Sequence, residues 1–193
     1  KYMVNLKINN MPISVEEGTT ILDAAKCLNF HIPTLCYHED LSIAGNCRVC
    51  VVEVKGAKAL VASCATPVGE GMEVFTNSEI VRSARKHVIE LLLAEHNADC
   101  TKCYRNNNCE LQELASEYRI TEQVLIPVLR PESLIPDISS PSIAKDDSKC
   151  IRCQRCVRTC TELQGVSALA MVYKGEHQKV STFMNKPLHD VVC

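Results

Sequence analysis

The sequence predicts an α+β fold made of several small units that bound metal holds together. Strand-like alternation and helix-like periodicity both occur within the first 75 residues, which indicates a compact α+β unit. Thirteen of the 193 residues are cysteines, and most of them stand in three groups along the chain. A chain of this length can form one or two ordinary domains, or several smaller ones that depend on a cofactor for stability.

Two strands are expected at the N-terminus. Val4, Leu6 and Ile8 fall on one face of an alternating segment, as a half-buried strand requires. Residues 9–12 favour a turn, and residues 13–15 return as a second strand.

A helix over residues 21–28 is predicted next. Thr20 stands at its start, and Asp23 is placed to help cap it. After a cysteine-containing loop, residues 49–54 and 59–62 have the apolar composition of two further strands.

A longer helix is predicted after residue 76, because Thr76 and Glu79 have the spacing of a capping box and an apolar stripe follows them. That helix ends next to His96, and a shorter helix is expected over residues 110–118. Four prolines between residues 126 and 141 favour an extended connector. The predicted division is a first unit over 1–75, a second over 76–120, a connector over 121–142 and a third unit over 143–193.

The first cysteine group has the features of a [2Fe–2S] site. Three ligands come from one loop and a fourth from a distant strand, as in plant-type ferredoxins. These candidate ligands are Cys36, Cys47, Cys50 and Cys64. The spacing of ten residues between the first two is longer than in the plant-type pattern, so a longer-loop variant is expected. A structural zinc site with four thiolates is the alternative.

His96 precedes the second group, which otherwise lacks a fourth ligand. The three cysteines that follow it closely are Cys100, Cys103 and Cys109, and the set predicts a [4Fe–4S] cluster with one imidazole ligand. A neutral imidazole in place of a thiolate is expected to raise the reduction potential of the cluster, as in Rieske centres. Zinc bound by the same residues is the alternative, because spacing alone fits both metals.

The third group has the spacing of bacterial two-cluster ferredoxins. By that rule Cys150, Cys153 and Cys156 bind one [4Fe–4S] cluster, and Cys160 crosses to a second. Cys193 stands where the second cysteine run of a two-cluster ferredoxin would begin. The chain therefore has too few cysteines in this region to complete two clusters. We therefore expect a fragment, or a subunit whose last cluster is incomplete or differently ligated. Alternatively, Cys193 replaces Cys160 as the fourth ligand of a single cluster.

Disulfides are a weaker explanation of these cysteines than metal is, because their number is odd and CxxC pairs suit a metal. Cys27 has no partner spacing, and it is predicted to be a small buried side chain on the apolar side of the first helix. Four arginines are expected near the clusters as solvated charges: Arg48, Arg152, Arg155 and Arg158.

Composition argues against several function classes. The formal net charge of −2, with mixed signs, gives no reason to expect nucleic acid or an anionic membrane as a partner. No apolar run approaches the roughly 20 residues of a membrane span, and no secretory leader is recognised at the N-terminus. A cytoplasmic protein is expected, and three cluster sites in series predict an electron carrier.

Segments around the cysteines resemble one group of redox proteins. They lie at residues 34–38, 45–54, 62–68 and 96–112. The group comprises the iron–sulfur regions of [FeFe]-hydrogenases, of certain NAD-linked formate dehydrogenases and of the large iron–sulfur subunit of respiratory complex I. Residues 150–166 look most like multi-cluster [FeFe]-hydrogenases of the NAD(P)-linked, electron-bifurcating type, and Cys160 counts against complex I.

The resemblance implies a β-grasp [2Fe–2S] domain, a small helical [4Fe–4S] domain with one histidine and three cysteine ligands, and a partial ferredoxin-like domain. It also implies a hetero-oligomer with flavin-containing subunits that oxidise NAD(P)H, or with ferredoxin, and with a hydrogen-activating catalytic domain. No residue here corresponds to that catalytic domain, so the chain is expected to be a relay without a catalytic site of its own. The alternatives are the same relay in a formate dehydrogenase or complex I-like enzyme, and a zinc-bound structural protein.

Overall fold

The computed structural model describes residues 2–122, 125 and 135–191, and it confirms the predicted α+β fold. The strands of the first unit are β1 (Met3–Ile8), β2 (Met11–Glu16), β3 (Val51–Val54), β4 (Val61–Ala62) and β5 (Glu73–Phe75). They form one sheet in the order β2-β1-β5-β3-β4. β1 and β5 pair in parallel, and the other neighbours pair antiparallel. The last strand of the first unit, β5, therefore lies in the middle of the sheet.

The N-terminal hairpin confirms the alternating pattern. Val4, Leu6 and Ile8 are buried along one face of β1, and the residues between them are exposed. Asn9 and Asn10 form the turn with positive φ angles of 49° and 67°, a backbone conformation that asparagine tolerates better than most residues. The hairpin fixes one edge of the sheet.

Helix α1 (Ile21–Cys27) begins at Thr20, as predicted. The Thr20 hydroxyl accepts a hydrogen bond from the Asp23 amide at 3.1 Å and donates one to the Asp23 carboxylate at 2.7 Å. Cys27, however, is exposed, and its predicted burial is wrong. Because Cys27 lies two residues beyond the buried Ala25, it points about 200° around the helix from that position.

Helix α2 (Glu79–Ala94) begins at Ser78, so the predicted capping box is wrong. The Thr76 hydroxyl accepts from the Asn9 side-chain amide at 2.8 Å, and the Thr76 amide donates to Asn9 Oδ1 at 2.9 Å. Thr76 therefore binds the hairpin turn of the first unit instead of capping the helix. Neither α2 nor any other helix in the described part of the chain is long and apolar enough to cross a membrane.

Helix α3 (Glu110–Glu117) and α2 enclose a second small core. Ile89, Leu111 and Leu114 are its buried members from the two helices. Leu35 and Val49, from the cysteine loop of the first unit, complete this core and are fully buried. The first two cysteine groups are thus joined by shared apolar packing.

The third unit contains the short helix α4 (Arg155–Arg158) and an antiparallel hairpin of β6 (Leu169–Val172) and β7 (Lys179–Thr182). A π-helical turn over Thr159–Leu163 continues α4. In the described residues, 3₁₀ helices span Cys100–Lys102, Asp147–Lys149, Gly175–His177, Phe183–Asn185 and Leu188–Asp190. Residues 123–124 and 126–134, which belong to the predicted connector, lie outside the described residues.

Arg85 joins α2 to the sheet. Its side chain is 3% exposed, and Nη2 donates to the Val51 carbonyl at 2.8 Å. Nη1 donates to the Tyr118 hydroxyl at 3.3 Å, next to the end of α3. One guanidinium therefore bonds to elements of both of the first two units.

We expect Arg85→Ala to lower the free energy of unfolding by about 2–4 kcal/mol, because the Val51 carbonyl loses a charged donor and a cavity is left. Urea-induced unfolding of the metal-loaded protein, followed by far-UV circular dichroism, measures the change. The matched control is Arg82→Ala, which removes an exposed guanidinium from the same helix. It is expected to change the value by less than about 0.5 kcal/mol. Equal effects of the two substitutions would contradict the anchoring role of Arg85.

Candidate metal centres

The first cysteine group lies where the loop after α1 meets strands β3 and β4. Cys36 and Cys47 come from the loop, Cys50 directly precedes β3, and Cys64 lies in the turn after β4. Gly45 turns the loop with a φ angle of 56°, which strains any residue that has a side chain. Local backbone geometry therefore brings four distant cysteines to one end of the sheet.

Three of the four thiols of this group are buried, Cys47 is half-buried, and neighbouring members are in contact. The sulfurs of Cys50 and Cys64 are 3.3 Å apart. The Cys47 amide donates to the Cys36 sulfur at 3.5 Å. Cys36, Cys50 and Cys64 are each 1% exposed, and every cysteine in the described residues is a free thiol. In the described part of the chain, no group of three or more His, Cys, Asp or Glu side chains is arranged around the position of a single ion. The sulfurs of the first group contact one another directly.

Shared hydrogen bonds push these thiols toward different charge states. The hydrogen bond shared with the Cys64 thiol lowers the pKa of Cys50 to about 6. Hydrogen bonds from Cys47 and Cys64 also hold the pKa of Cys36 below its usual range, while the pKa values of these two donors are raised. Thiolates are the metal-binding form, and four of them this close repel one another unless a bound cation compensates their charge. The donor set therefore fits a metal cluster.

His96, two residues after α2, has a buried nitrogen that lacks a partner. Its Nδ1 atom makes no hydrogen bond within the described structure. Burial lowers the pKa of the imidazole, and the charge of nearby Lys149 lowers it further. The neutral form that binds metals is therefore favoured. An unsatisfied buried nitrogen costs free energy, and a bond to a metal would remove that cost.

The three cysteines of the second group line a small cavity together with His96. The other lining residues are Asn97, Arg105, Asn106, Gln112 and Lys149. Cys109 is the residue directly before the first turn of α3. The Cys103 amide donates to the Cys100 carbonyl at 3.1 Å and closes the turn between these two cysteines. The structure thus brings all four predicted residues of this group together.

Gln112 braces the loop between Cys103 and Cys109, a role that sequence reasoning missed. Its Nε2 atom donates to Asn106 Oδ1 at 2.9 Å, and its Oε1 atom accepts from the Asn107 amide at 2.9 Å. Asn107 has a φ angle of 61°, so the brace holds the loop in a sparsely populated conformation. The feature of the sequence that could have indicated this role is a side-chain amide in the first turn of a helix, where the helix begins directly after a candidate ligand.

In the third group, the backbone after Cys150 turns back toward the sulfur of this cysteine. Arg152 and Gln154 have positive φ angles of 53° and 62°. The Arg152 amide donates to the Cys150 sulfur at 3.4 Å, and burial raises the pKa of this thiol. Cys153 is half-buried and Cys156 is exposed. Backbone amides aimed at sulfur are among the features that tune iron–sulfur sites.

Cys160 occupies a separate, buried position in the π-helical turn. It is 6% exposed, and its sulfur accepts the Ala168 amide at 3.1 Å. Cys193 lies outside the described residues. Both predicted ligand sets for the third group therefore remain predictions.

Arg158 is buried, and its prediction as a solvated charge is wrong. The side chain is 9% exposed and donates to the carbonyls of Cys36 and Ser42. These partners lie 122 and 116 residues away in sequence, so no local pattern indicates them. Arg48, in contrast, is exposed as expected.

Three family models match successive parts of the chain. Residues 1–79 match a 2Fe–2S iron–sulfur cluster binding domain. Residues 85–123 match the iron–sulfur binding region of NADH-ubiquinone oxidoreductase-G, and residues 140–192 match the ferredoxin-like domain of NADH-quinone oxidoreductase subunit 3. These matches confirm the predicted [2Fe–2S] and [4Fe–4S] cofactors.

Relatives come from two kinds of enzyme. The NADP-reducing hydrogenase subunit HndD of Solidesulfovibrio fructosivorans is 46% identical over 99% of this chain, and the chain covers 33% of it. The 75 kDa subunit of NADH-ubiquinone oxidoreductase from Reclinomonas americana is 40% identical over 95% of the chain, which covers 26% of that subunit. The chain therefore spans about a quarter to a third of these relatives.

A solved structure with the same fold is that of NAD⁺-reducing [NiFe]-hydrogenase in the H2-reduced state. The matched chain is 32% identical with a TM-score of 0.85, and the match covers 93% of this chain and 74% of that one. The similarity therefore extends over all three units.

We expect metal removal by a chelator under reducing conditions to increase amide hydrogen exchange in residues 36–50 and 96–109. The thiols and the His96 nitrogen would lose the metal that holds them in place. Hydrogen-exchange mass spectrometry measures the change, and the β1–β2 hairpin is the internal control, since its hydrogen bonds involve none of these residues. Equal protection with and without metal would show that these loops are ordered by the protein alone.

Proposed function

Because the chain belongs to the iron–sulfur family of NADH-ubiquinone oxidoreductase-G and of NAD-reducing hydrogenase-type subunits, we propose that it is an electron relay within such an enzyme. The observation that carries the proposal is the direct contact between ligand groups. The third group hydrogen-bonds to the Cys36 carbonyl of the first, and Leu35 beside that residue packs into the core of the second. Electrons move between clusters only when the clusters are close, and these contacts hold the sites together.

The proposed ligands follow the three groups. The [2Fe–2S] cluster would be held by Cys36, Cys47, Cys50 and Cys64. The first [4Fe–4S] cluster would be held by His96, Cys100, Cys103 and Cys109. Cys150, Cys153 and Cys156 would hold a further [4Fe–4S] cluster, completed by Cys193 or accompanied by a second cluster that Cys160 reaches. The contacting thiols of the first group and the unpartnered nitrogen of His96 support these assignments.

Iron–sulfur clusters supply one-electron redox chemistry when bound, and this chain sets their surroundings. Near-complete burial of Cys36, Cys50 and Cys64 excludes water from the first site. Backbone amides point at the sulfurs of Cys36 and Cys150. Burial and hydrogen bonds to sulfur are the means by which proteins adjust cluster potentials. The relay role needs no general acid, base or nucleophile from the chain.

The proposed partners lie at the two ends of the relay. On one side we place flavin-containing subunits that oxidise NAD(P)H, or ferredoxin, and on the other the hydrogen-activating site of an [FeFe]-hydrogenase. The 46% identity to an NADP-reducing hydrogenase subunit supports this choice. A cytoplasmic hetero-oligomer is proposed, because cluster-binding thiols persist in a reducing compartment.

A complex I-like enzyme is the second candidate, favoured by the 40% identity to the 75 kDa subunit of NADH-ubiquinone oxidoreductase. Anaerobic visible spectroscopy of the complex purified from its source separates the two. Bleaching under hydrogen, with reduction of NAD(P), supports the hydrogenase. Bleaching by NADH and reoxidation by quinone, with no response to hydrogen, supports the second candidate. A colourless complex that responds to neither would overturn the relay.

We expect Cys50→Ala to abolish the electron paramagnetic resonance signal of the reduced [2Fe–2S] cluster and to leave the [4Fe–4S] signals in place. The substitution removes one of the sulfurs that contact each other in the first site. Spectra of the dithionite-reduced protein and its iron content measure the effect. Cys27→Ala is the control, since that thiol is exposed on α1 and should leave all signals unchanged. A [2Fe–2S] signal that survives in the Cys50 variant would refute this ligand.

Replacing His96 by Cys is expected to retain a [4Fe–4S] cluster and to make its reduction potential more negative, because a thiolate adds negative charge where a neutral imidazole stood. A redox titration followed by electron paramagnetic resonance gives the shift. His87→Cys places the same change on the exposed face of α2 and should leave the potential unaltered. An unchanged potential in the His96 variant would mean that this histidine does not bind the cluster.

A further inference from the structure

Arginines alternate with the cysteines of the third group at every third position. They are Arg152, Arg155 and Arg158, set between Cys150 and Cys160. Each of them contacts residues of the first group's loop, and Arg152 and Arg155 also contact residues beside the second group. This regularity suggests a function beyond that of single surface charges.

Arg158 makes the most buried of these contacts. Its guanidinium donates to the carbonyls of Cys36 and Ser42 in the first group, and Nη2 is also 3.5 Å from the Cys153 carbonyl of its own group. Glu162, one turn later, accepts from the Ser42 amide at 2.8 Å and from the Ser42 hydroxyl at 2.5 Å. Two side chains of the third unit therefore hold the loop that follows Cys36.

Arg155 reaches both of the other groups at once. Nη1 lies 2.9 Å from one carboxylate oxygen of Glu110 and 3.3 Å from the other. Nη2 donates to the Tyr37 carbonyl at 3.0 Å. Glu110 directly follows Cys109, and Tyr37 directly follows Cys36. One planar side chain thus bridges the neighbours of two candidate ligands.

Arg152 makes an equivalent pair of contacts. Its guanidinium is 2.6 Å from the Glu95 carboxylate, and its backbone carbonyl accepts from the Asn46 side chain at 2.7 Å. Glu95 directly precedes His96, and Asn46 directly precedes Cys47. All three arginines therefore link the third group to the loop of the first, and Arg152 and Arg155 also link it to residues beside ligand candidates of the second.

We propose that Arg152, Arg155 and Arg158 are positioning residues that set the distances from the third cluster site to the first two. The proposal rests on the proposed relay function. Arginine suits this task because its rigid, permanently charged fork can donate to two acceptors in fixed directions, whereas a lysine ammonium cannot. Most of the acceptors are backbone carbonyls or carboxylates beside a ligand, so a shift of the fork moves the ligand loop itself.

The test compares Arg158→Lys and Arg158→Gln in the metal-loaded chain, with Arg82→Gln on the exposed face of α2 as control. The magnetic coupling between the reduced clusters, measured by pulsed electron paramagnetic resonance, reports their separation. Both Arg158 variants are expected to keep iron content and individual cluster signals and to change the coupling, and electron equilibration after flash reduction should slow several-fold. The Lys variant keeps the positive charge of Arg158. If its cluster reduction potentials equal those of the wild type while the coupling is altered, Arg158 acts through its position and not through its charge.

A second set of variants uses the more exposed pair of Arg155 and Glu110. Arg155→Gln, Glu110→Gln and the double variant should change the coupling between the second and third clusters to a similar extent, because each removes the same link. A wild-type chain without cluster signals would overturn the relay itself. Clusters that are present and coupled as in wild type in every variant would overturn the positioning role alone. Loss of the clusters from both Arg158 and Arg155 variants would also overturn it and assign the arginines to folding.

Discussion

The burial of the candidate sulfur ligands of the first site is the constraint on which the rest of this structure depends. A buried charge is costly unless an opposite charge or hydrogen bonds compensate it. Cys50 and Cys64 belong to the same apolar core as Leu6 and Ile8 of the sheet. The core of the first unit is therefore continuous with the candidate cluster site, so a substitution in either one affects the packing of the other.

The same coupling extends between units. Leu35 and Val49 directly precede Cys36 and Cys50, yet both side chains are buried in the core of the second unit. Close packing transmits displacement, so a movement of the helices in the second unit would shift the ligand loop of the first. Cluster sites on separate flexible domains would have no fixed separation. Here, apolar packing and arginine hydrogen bonds both restrict it.

Local features of the fold could be predicted from sequence, and long-range ones could not. The alternation in β1 and the cap at Thr20 depend on neighbouring residues, and both were predicted. The predicted cap at Thr76 is wrong because the Thr76 side chain bonds instead to Asn9, which lies 67 residues away in sequence. The three-residue strand β5 carries too short a pattern to detect, and Arg158 is buried by partners more than a hundred residues distant. The ligand spacings were visible in the sequence, but the contacts that align the three groups were not.

The central place of β5 in the sheet has a consequence for synthesis. β1 is complete by Ile8 and β3 by Val54, but they have no common neighbour until Glu73–Phe75 emerges and pairs with both. Contacts between residues this far apart in sequence form late, because closing the long loop between them costs conformational entropy. A ribosome-bound chain therefore exposes all four cysteines of the first group before the sheet around them can close. The burial of these sulfurs in the finished core is therefore completed only after β5 has been synthesised.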